Sequence, residues 1–445
     1  MNNRPSHLFA KRAALLWLSA LCAGCSITPL TYHQPTTIEA AVFEGGYGIE
    51  WHKQVARSYE RLHPGLRVNL WGDPRVDEKL KPRVLRDDPP DLANSSLPVW
   101  KLIVAGKLYP LDAALDSPAV GQPGTWRQSL EPGILADYQY HGKTYAVPSN
   151  LSAWVCWYDK RLFRKHGWQP PVTWTDFTRL CDSIKSAGIA PLAFQGKYPT
   201  YAWATLLTLY ERLVPFKYWN RMEMIAPNGF NNPDFIRAAS LMQQMALKYF
   251  EPGSLAMTHT EAQLEWVNGR AALCFCGLWL HNEMKSAIPK GFEMSCFPVP
   301  EIEGGQGDPH ALYGSGAEDF MVFAKAKHPA IAADFLKYML SLDNAHRYIR
   351  QLDTLSPVRN STRGVTLAPD LQSAVGIVNH RSILFSDNLT SLYPSFADST
   401  VRDGLADLLS GKDSPEVFAR KLQSGIDAIR RDPDIFKPPS LLAAE

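Results

Sequence analysis

The pattern of apolar and polar positions divides the start of the chain into two short strands separated by a helix. Ile38–Phe43 is largely apolar and strand-like, and Leu66–Leu70 predicts a second strand. Between them, Val55, Tyr59 and Leu62 follow one another at spacings of four and three, the period of one face of an α-helix. This strand–helix–strand order predicts a parallel sheet with a helix packed on it.

Polar and glycine-rich turns follow the strands of this predicted sheet. Gly45–Gly48 comes just after the first strand, and Asn94–Ser96 follows a later apolar pair. Because the carboxyl ends of parallel strands meet at one edge of a sheet, we expect the two turns to line the same crevice.

The rest of the chain predicts a second α/β unit. Residues 142–148 are typical of a hairpin leading into a strand, and a further strand alternates along Trp154–Asp159. A largely helical region follows from about residue 174 to 266, interrupted at Pro191–Pro199 and again near residues 227–233. The simplest arrangement is two α/β lobes between which the chain crosses more than once.

The last third of the chain returns to the first unit and then ends in helices. Ala317–Ala324 is apolar and strand-like, and apolar residues at a spacing of four predict a helix over about residues 331–339. Ser414 followed by Pro415 predicts the start of a final helix, since these residues suit the N-cap and the first helical position.

The segment Met257–Pro300 carries the most informative candidate chemistry. An apolar run, Arg270–Phe275, leads through small residues to Trp279, and Glu283 lies one helical turn further on. An indole covers the C–H face of a sugar ring, and a carboxylate accepts hydrogen bonds from its hydroxyls. The alternative is a buried tryptophan at the start of an ordinary helix, and this segment by itself leaves both open.

Length and composition indicate a globular protein with a processed N-terminus. At 445 residues, 45% hydrophobic and 20% charged, the chain has room for two or three domains and is too apolar for wholesale disorder. Basic residues precede the apolar stretch Ala13–Leu21, which predicts a signal peptide over residues 1–24. Leu21–Cys25 resembles a bacterial lipoprotein box, which implies an acylated Cys25 and a tether over residues 25–37. Cys22 departs from that pattern, so an ordinary secretory signal or a short anchor helix is the alternative.

Charge and cysteine content exclude several functions. Without residues 1–24 the chain carries 43 basic against 44 acidic side chains, because the leader holds three of the 46 basic ones. This balance does not predict nucleic-acid binding. Five of the seven cysteines follow Cys25, and we expect buried free thiols with at most one disulfide. Cys274 and Cys276 share one face of a predicted strand. A metal site would need further ligands at suitable spacing, and the sequence has none there, so neither a metal site nor a cofactor is predicted.

Several short segments resemble those of family 1 extracellular solute-binding proteins, the capture subunits of carbohydrate ABC importers. Within that family the chain is most similar to the N-acetylglucosamine/N,N′-diacetylchitobiose-binding lipoproteins. The resemblance covers roughly residues 38–440, and its most specific segments are Gly45–Gly48, Pro89–Asp91, Tyr158–Phe163, Gln195–Pro199, Met257–Gln263 and Gly277–Met284.

The resemblance implies a two-lobe α/β fold of the type II periplasmic-binding-protein class. A hinge that the chain crosses several times joins the lobes, and the ligand binds in the cleft between them. Lobe 1 would comprise residues 38–147 and 317–352, lobe 2 would comprise residues 148–316 and 353–438, and residues 439–445 would form a tail. A ligand that contacts both lobes stabilises the closed form through contacts that the open form lacks.

The resemblance also implies which residues contact the ligand. Asn150 lies beside the first hinge crossing, and Gly316 borders the second. The remaining positions come from the two lobes, with Tyr47, Asn94 and Ser95 on lobe 1 and Gln195, Lys197, Tyr198, Tyr201, Trp279 and Glu283 on lobe 2. Trp279 takes the position at which the family stacks an aromatic ring on the sugar. Tyr201 would otherwise belong to a helix core, and Lys197 to a solvated loop.

These features predict a protein of the cell envelope that captures an amino sugar or short oligosaccharide without catalysis. The implied partners are the sugar, the permease subunits of an ABC importer with a separate ATPase, and the membrane through a lipid on Cys25, with the chain itself a monomer.

Three alternatives remain open from the sequence. One is a binder of a different oligosaccharide such as a maltodextrin, and another is a purely structural envelope lipoprotein. The third is a glycoside hydrolase, which needs two carboxylates that Glu44, Glu261, Glu283 or Asp319 could supply. Neither GxGxxG nor GxxxxGK[ST] occurs in a form that would predict nucleotide binding.

Overall fold

The β-strands form two main sheets, each at the centre of one α/β unit. The computed structural model describes residues 36–45, 47–223, 225–314 and 319–437. The strands are β1 (Thr36–Phe43), β2 (Leu66–Asp73), β3 (Leu92–Ser95), β4 (Gln139–Tyr140), β5 (Lys143–Thr144), β6 (Ala146–Pro148), β7 (Trp154–Asp159), β8 (Ala190–Ala193), β9 (Ala271–Gly277), β10 (Met294–Phe297), β11 (Leu312–Tyr313), β12 (Asp319–Val322) and β13 (Leu384–Phe385).

The helices pack on the faces of these sheets. In the first half of the chain they are α1 (Glu50–Leu62), α2 (Val76–Leu85), α3 (Val99–Val104), α4 (Asp112–Leu115), α5 (Lys160–His166), α6 (Trp174–Ser186), α7 (Pro199–Leu213) and α8 (Phe216–Glu223). In the second half they are α9 (Pro233–Tyr249), α10 (His259–Val267), α11 (Leu280–Met284), α12 (Pro329–Met339), α13 (Leu342–Leu352), α14 (Pro369–Asn379), α15 (Leu389–Leu392), α16 (Arg402–Leu409) and α17 (Pro415–Arg431).

The first sheet has the strand order β2-β1-β3-β12-β6. β1 pairs in parallel with β2 and β3, as the strand–helix–strand pattern predicts, and β12 is antiparallel to β3 and β6. Ile38 and Ala40 pack into one apolar core while Ala41 packs into another. Because successive strand residues point to opposite faces and both faces are covered, the strand is apolar on both faces apart from Glu39, whose carboxylate pairs with Arg83.

The second sheet has the order β10-β7-β9-β8. β9 is antiparallel to β7 and parallel to β8. It is buried along its whole length, with Phe275 in the core on one face and Cys274 and Cys276 in the core on the other. The proline-rich interruption of the helical region contains β8, which the sequence pattern did not predict. β8 lies at the edge of the sheet, where Pro191 does not remove a hydrogen bond from a central ladder.

The chain passes between the two sheets at several places. Residues 149–153 connect β6 to β7, and Leu151 in this connection forms a β-bridge with Leu355, which follows α13. A further passage lies between β11 and β12. The two-lobe α/β class is therefore confirmed, while the lobe boundaries given above stay a prediction.

Several predicted features lie outside the described residues. They are the signal peptide, Cys25, most of the tether, Gly316 at the second crossing and the tail. Among the helices that the structure does describe, none is both long and apolar enough to cross a bilayer.

A buried ion pair in α7 fixes the loop that follows β10. The Arg212 guanidinium contacts the Glu211 carboxylate, with side-chain exposures of 1% and 0%. Arg212 also donates to the carbonyls of Val299 and Asp308 at 3.2 and 3.0 Å, and the Asp308 backbone N–H donates to Glu211 at 3.1 Å. Burial raises the pKa of Glu211 and lowers that of Arg212, and their mutual attraction opposes both shifts. The pair therefore ties residues 299–308 to α7.

Arg212→Ala should strongly destabilise the protein. The change leaves the Glu211 carboxylate buried without its partner, which costs about 3–5 kcal/mol in comparable cases. Urea unfolding of the purified variant, followed by circular dichroism, measures the loss.

The matched control is Arg164→Ala, which breaks the ion pair with Glu293, whose side chains are 60% and 47% exposed. That variant should lose no more than about 1 kcal/mol, since surface ion pairs contribute little. Equal losses in the two variants would contradict the role assigned to the buried pair.

Candidate functional site

The edge of the second sheet that faces the first lobe carries a cluster of aromatic rings. β7 begins at Trp154, which pairs with Gly277 at the end of β9. The Trp279 ring lies two residues beyond, with its centroid 6.2 Å from that of Trp154 and 6.5 Å from that of Tyr201 in α7. Tyr198 continues the row at 6.4 Å from Tyr201. We call these four rings the aromatic wall.

Hydrogen bonds hold the inner part of the aromatic wall in place. The Trp154 indole N–H donates to the Thr205 hydroxyl at 3.1 Å, and that hydroxyl donates to the Tyr201 carbonyl at 2.9 Å. Burial raises the pKa of Tyr201 well above its usual range, and a hydrogen bond with Trp279 partly opposes this rise. Trp279 stays only half-buried, so part of its ring is open to the cleft.

Gly277 is the residue on which the Trp279 ring rests. A Cβ atom at this position would lie 2.0–2.3 Å from three atoms of the indole. Atoms at that distance overlap, so only glycine leaves room for the observed ring position. The small-residue turn noted in the sequence therefore has a steric purpose.

Glu283 lies beside the aromatic wall and is held from behind. Its Oε2 accepts a hydrogen bond of 2.6 Å from Nε2 of Gln263, a completely buried residue of α10. Its Oε1 lies 3.9 Å from Nε2 of His259, and the side chain is 31% exposed. Loss of solvent raises the pKa of Glu283, while Gln263 and His259 act in the opposite direction.

The first lobe contributes polar residues at the opposing edge. Asn94 lies opposite Val42 in the β1–β3 pair, so the turns after these strands share one edge, as the sequence predicts. The Tyr47 hydroxyl donates to the Thr354 hydroxyl at 3.4 Å. Ser95 is completely buried, and its hydroxyl accepts from the Leu97 backbone N–H at 3.4 Å.

Several buried polar atoms in this region have no hydrogen-bond partner within the described residues. They are Asn94 Nδ2, Asn150 Oδ1, Ser152 Oγ and Gln195 Oε1, and each of these side chains is at most 6% exposed. Buried polar atoms are nearly always paired, so such a group needs an explanation. Asn150 and Ser152 belong to the first hinge crossing and Asn94 to the facing strand end.

The structure places the remaining predicted residues at different depths. Gln195 is completely buried, and its Nε2 lies 3.1 Å from the Cys274 sulfur, so it lies behind the cleft surface. Lys197 is exposed on the loop before α7, and Tyr198 is 37% exposed. Gly316 lies outside the described residues.

A second part of the interlobe region contains a cavity of about 340 Å³. Its lining includes Ser96 and Asp319 from the first lobe and Asp387 from the segment after β13. Asn388 donates to Asp137 at 3.1 Å across this region. The lobes therefore already touch on this side of the hinge.

Two of the carboxylates considered for hydrolysis have partners within the protein. Glu261 completes a capping box with Thr258 at the start of α10, and Asp319 accepts a 2.7 Å hydrogen bond from the Tyr138 hydroxyl. No group of three His, Cys, Asp or Glu side chains suited to a metal ion occurs in the described ranges. The five cysteines there are buried and free, which bears out the expectation of buried free thiols.

Comparison with known proteins identifies the family. Residues 45–345 match the model for the bacterial extracellular solute-binding protein family. Since this match covers more than half of the chain, the protein belongs to that family. The family and the compared relatives are solute-binding proteins.

Two relatives with assigned names have sequences similar to this chain. It is 27% identical over 314 residues to the diacetylchitobiose binding protein of Streptomyces coelicolor, covering 69% of this chain and 66% of that protein. It is 24% identical over 314 residues to the multiple sugar-binding protein of Streptococcus mutans, covering 66% of this chain and 69% of that protein. The matches thus span about two thirds of these relatives' own lengths.

A solved structure shows the same fold. A chitin oligosaccharide binding protein superimposes with a TM-score of 0.73 at 21% identity, over 88% of this chain and 98% of that one.

Residues that the sequence did not single out complete the site. Trp154 was predicted only as a strand residue, and Gln263 and His259 were not predicted to lie near Glu283. The alternation along β7 predicts that Trp154 lies on one face of a strand. Only the pairing of Trp154 with Gly277 in the structure shows that it lies near Trp279. For His259, the sequence pattern of a capping box indicates only that the residue begins a helix.

Gly277→Ala should displace the Trp279 ring with a modest effect on the fold. The added methyl overlaps the indole, which must rotate away, whereas the buried strand backbone has no need of a positive φ at this position. Near-ultraviolet circular dichroism reports the changed environment of the tryptophan.

Gly376→Ala in α14 is the matched control, because its Cβ would meet nothing within 4 Å. This variant should keep the wild-type spectrum and gain roughly 0.5–1 kcal/mol from helix propensity. An unchanged spectrum in Gly277→Ala would contradict the position assigned to the indole.

Proposed function

We propose that the protein is the sugar-binding component of an ABC importer and that the ligand lies against the aromatic wall. The observation that carries this proposal is the half-exposed Trp279 ring beside Glu283 and the unpartnered amide and hydroxyl groups. Aromatic faces pack on the C–H face of a pyranose ring, and carboxylate and amide groups hydrogen-bond its hydroxyls. A neutral polyhydroxylated ligand meets both requirements.

Asn94, Asn150 and Ser152 give a reason for the lobes to close on such a ligand. They lie at the first lobe's edge and in the hinge, and each has a polar atom that lacks a partner in the described part of the chain. A ligand shifts a protein toward the closed state only as far as it binds that state more tightly. Hydroxyls that satisfy these groups together with Trp279 supply this difference.

An amino sugar or short oligosaccharide of the N-acetylglucosamine or chitobiose kind is the ligand that we propose first. Its support is the relative named as a diacetylchitobiose binding protein, at 27% identity. The alternative is another oligosaccharide, such as a maltodextrin, because a second relative is named as a multiple sugar-binding protein. A single changed polar contact can alter sugar preference, so direct measurement must decide.

The proposed location is the outer side of the cytoplasmic membrane. The leader and the lipoprotein-like segment that ends at Cys25 support a lipid anchor. Membership of the solute-binding family supports transfer of the ligand to permease subunits with a separate ATPase, and we propose that the chain acts there as a monomer. Labelling with a radioactive fatty acid, and its loss in Cys25→Ser, tests the anchor.

Hydrolysis is the less favoured function. Glu261 and Asp319 are occupied by contacts within the protein, and Glu283 is anchored by Gln263. We expect every sugar that binds to be recovered intact. Cleavage products would contradict the proposal and favour the glycoside hydrolase.

Replacing Trp279 by Ala should weaken sugar binding by about 1–3 kcal/mol, because the mutation removes the apolar face under the sugar ring. A thermal-shift screen of mono- and oligosaccharides finds the ligand, and titration calorimetry measures its affinity in wild type and variant.

The control is Trp168→Ala, just after α5, where the half-buried Trp168 ring stacks on His166. It should bind the sugar like wild type. Wild-type affinity in Trp279→Ala would remove Trp279 from the site, and a screen without any stabilising sugar would contradict the proposed function itself.

A further inference from the structure

The aromatic wall extends outward beyond the part that one sugar ring can cover. Trp279 and Tyr198 are both neighbours of Tyr201, with ring centroids 6.5 and 6.4 Å from that of Tyr201. Both centroid separations lie within the range of packed aromatic pairs, about 4.5–7 Å. Tyr198 is among the exposed large side chains of the described residues, so its ring is available to a second sugar ring.

His259 adds a polar group at this outer end. Its ring centroid is 5.4 Å from that of Tyr198, and its side chain is 37% exposed. Its Nε2 faces Glu283 Oε1 at 3.9 Å, which is too long for a direct hydrogen bond. Two polar atoms of partly exposed side chains thus lie on either side of a 3.9 Å gap.

The gap has the right width for one hydroxyl group. An oxygen placed about 2.8 Å from both atoms bridges them, accepting from the imidazole N–H and donating to the carboxylate. Hydrogen bonds of this kind to a charged group are stronger than neutral ones. The neighbouring Tyr198 ring offers an apolar surface to the ring that carries the hydroxyl.

Both sides of the gap are held in fixed positions. His259 is the first residue of α10, whose start is fixed by the capping box of Thr258 and Glu261. Glu283 is fixed by the 2.6 Å hydrogen bond from Gln263. A binding group that is already in place loses little conformational entropy when the ligand arrives.

We propose that Tyr198, His259 and Glu283 form a second sugar subsite beside Trp279, so that the ligand is an oligosaccharide of at least two rings. One ring lies on Trp279, and the next lies on Tyr198 with a hydroxyl between His259 and Glu283. This inference rests on the proposed function. It adds a minimum ligand length of two rings and names His259 as a residue that determines this length.

The test compares a monosaccharide with the matching disaccharide. Calorimetry uses N-acetylglucosamine and N,N′-diacetylchitobiose first, or the corresponding pair of whichever sugar stabilises the wild type in the screen. Wild type should bind the disaccharide at least tenfold more tightly. His259→Ala should lower disaccharide affinity roughly tenfold, the value of one charge-assisted hydrogen bond, and lower monosaccharide affinity far less.

Further variants separate this role from a structural one. Tyr198→Ala should repeat the selective loss for the disaccharide, whereas Trp279→Ala should weaken both sugars. His259→Gln keeps an N–H donor and should recover part of the disaccharide affinity. His166→Ala removes a histidine that also stacks on an aromatic ring of the second lobe, outside the site, and should change neither affinity.

The outcomes distinguish the two proposals. Equal wild-type affinities for the two sugars, or a His259→Ala variant that loses both alike or neither, would overturn the second subsite while leaving sugar binding intact. A wild type that binds no sugar at all would overturn the proposed function and this inference with it.

Discussion

The site depends on the pairing of β7 with β9. This antiparallel pair sets Trp154 opposite Gly277, and the missing side chain of Gly277 leaves the space in which the Trp279 ring lies. Tyr201 then closes the cluster from α7. A methyl group at position 277 would overlap the indole, so the position of the Trp279 ring depends on steric fit as well as on attractive contacts. The aromatic wall is thus supported by two strands of the second lobe that are buried along their whole length.

The first lobe's edge and the hinge contribute polar groups to the site, where the second lobe contributes aromatic rings. Asn94, Asn150 and Ser152 are buried, with polar atoms that have no partner among the described residues. Such groups cost free energy until a ligand or solvent meets them. Under the proposed function, the aromatic wall on one lobe and these polar groups at the hinge would together favour a bound, closed state. The hydrogen bond from Asn388 to Asp137 joins the two lobes beside the hinge.

Much of the fold could be predicted from residue patterns. The period of α1, the apolar run of β1, and the cap at Ser414 all rest on interactions between residues near one another in the chain, so local sequence contains the signal. The edge strand β8 was missed because Pro191 is locally unfavourable for a strand. Its place at the sheet edge removes the conflict, and only the sheet order reveals this.

The sequence by itself determined the family, the α/β class and the candidate sugar-stacking role of Trp279, because these rest on short motifs and local periodicity. Only the tertiary structure decided which side chains surround that ring. Trp154, Gln263 and His259 come from separate segments, and their approach depends on strand register and helix packing. It also placed Gln195 behind the cleft, since a loop pattern shows polarity but not depth. Contacts between distant segments are set by packing of the whole chain, which no local pattern records.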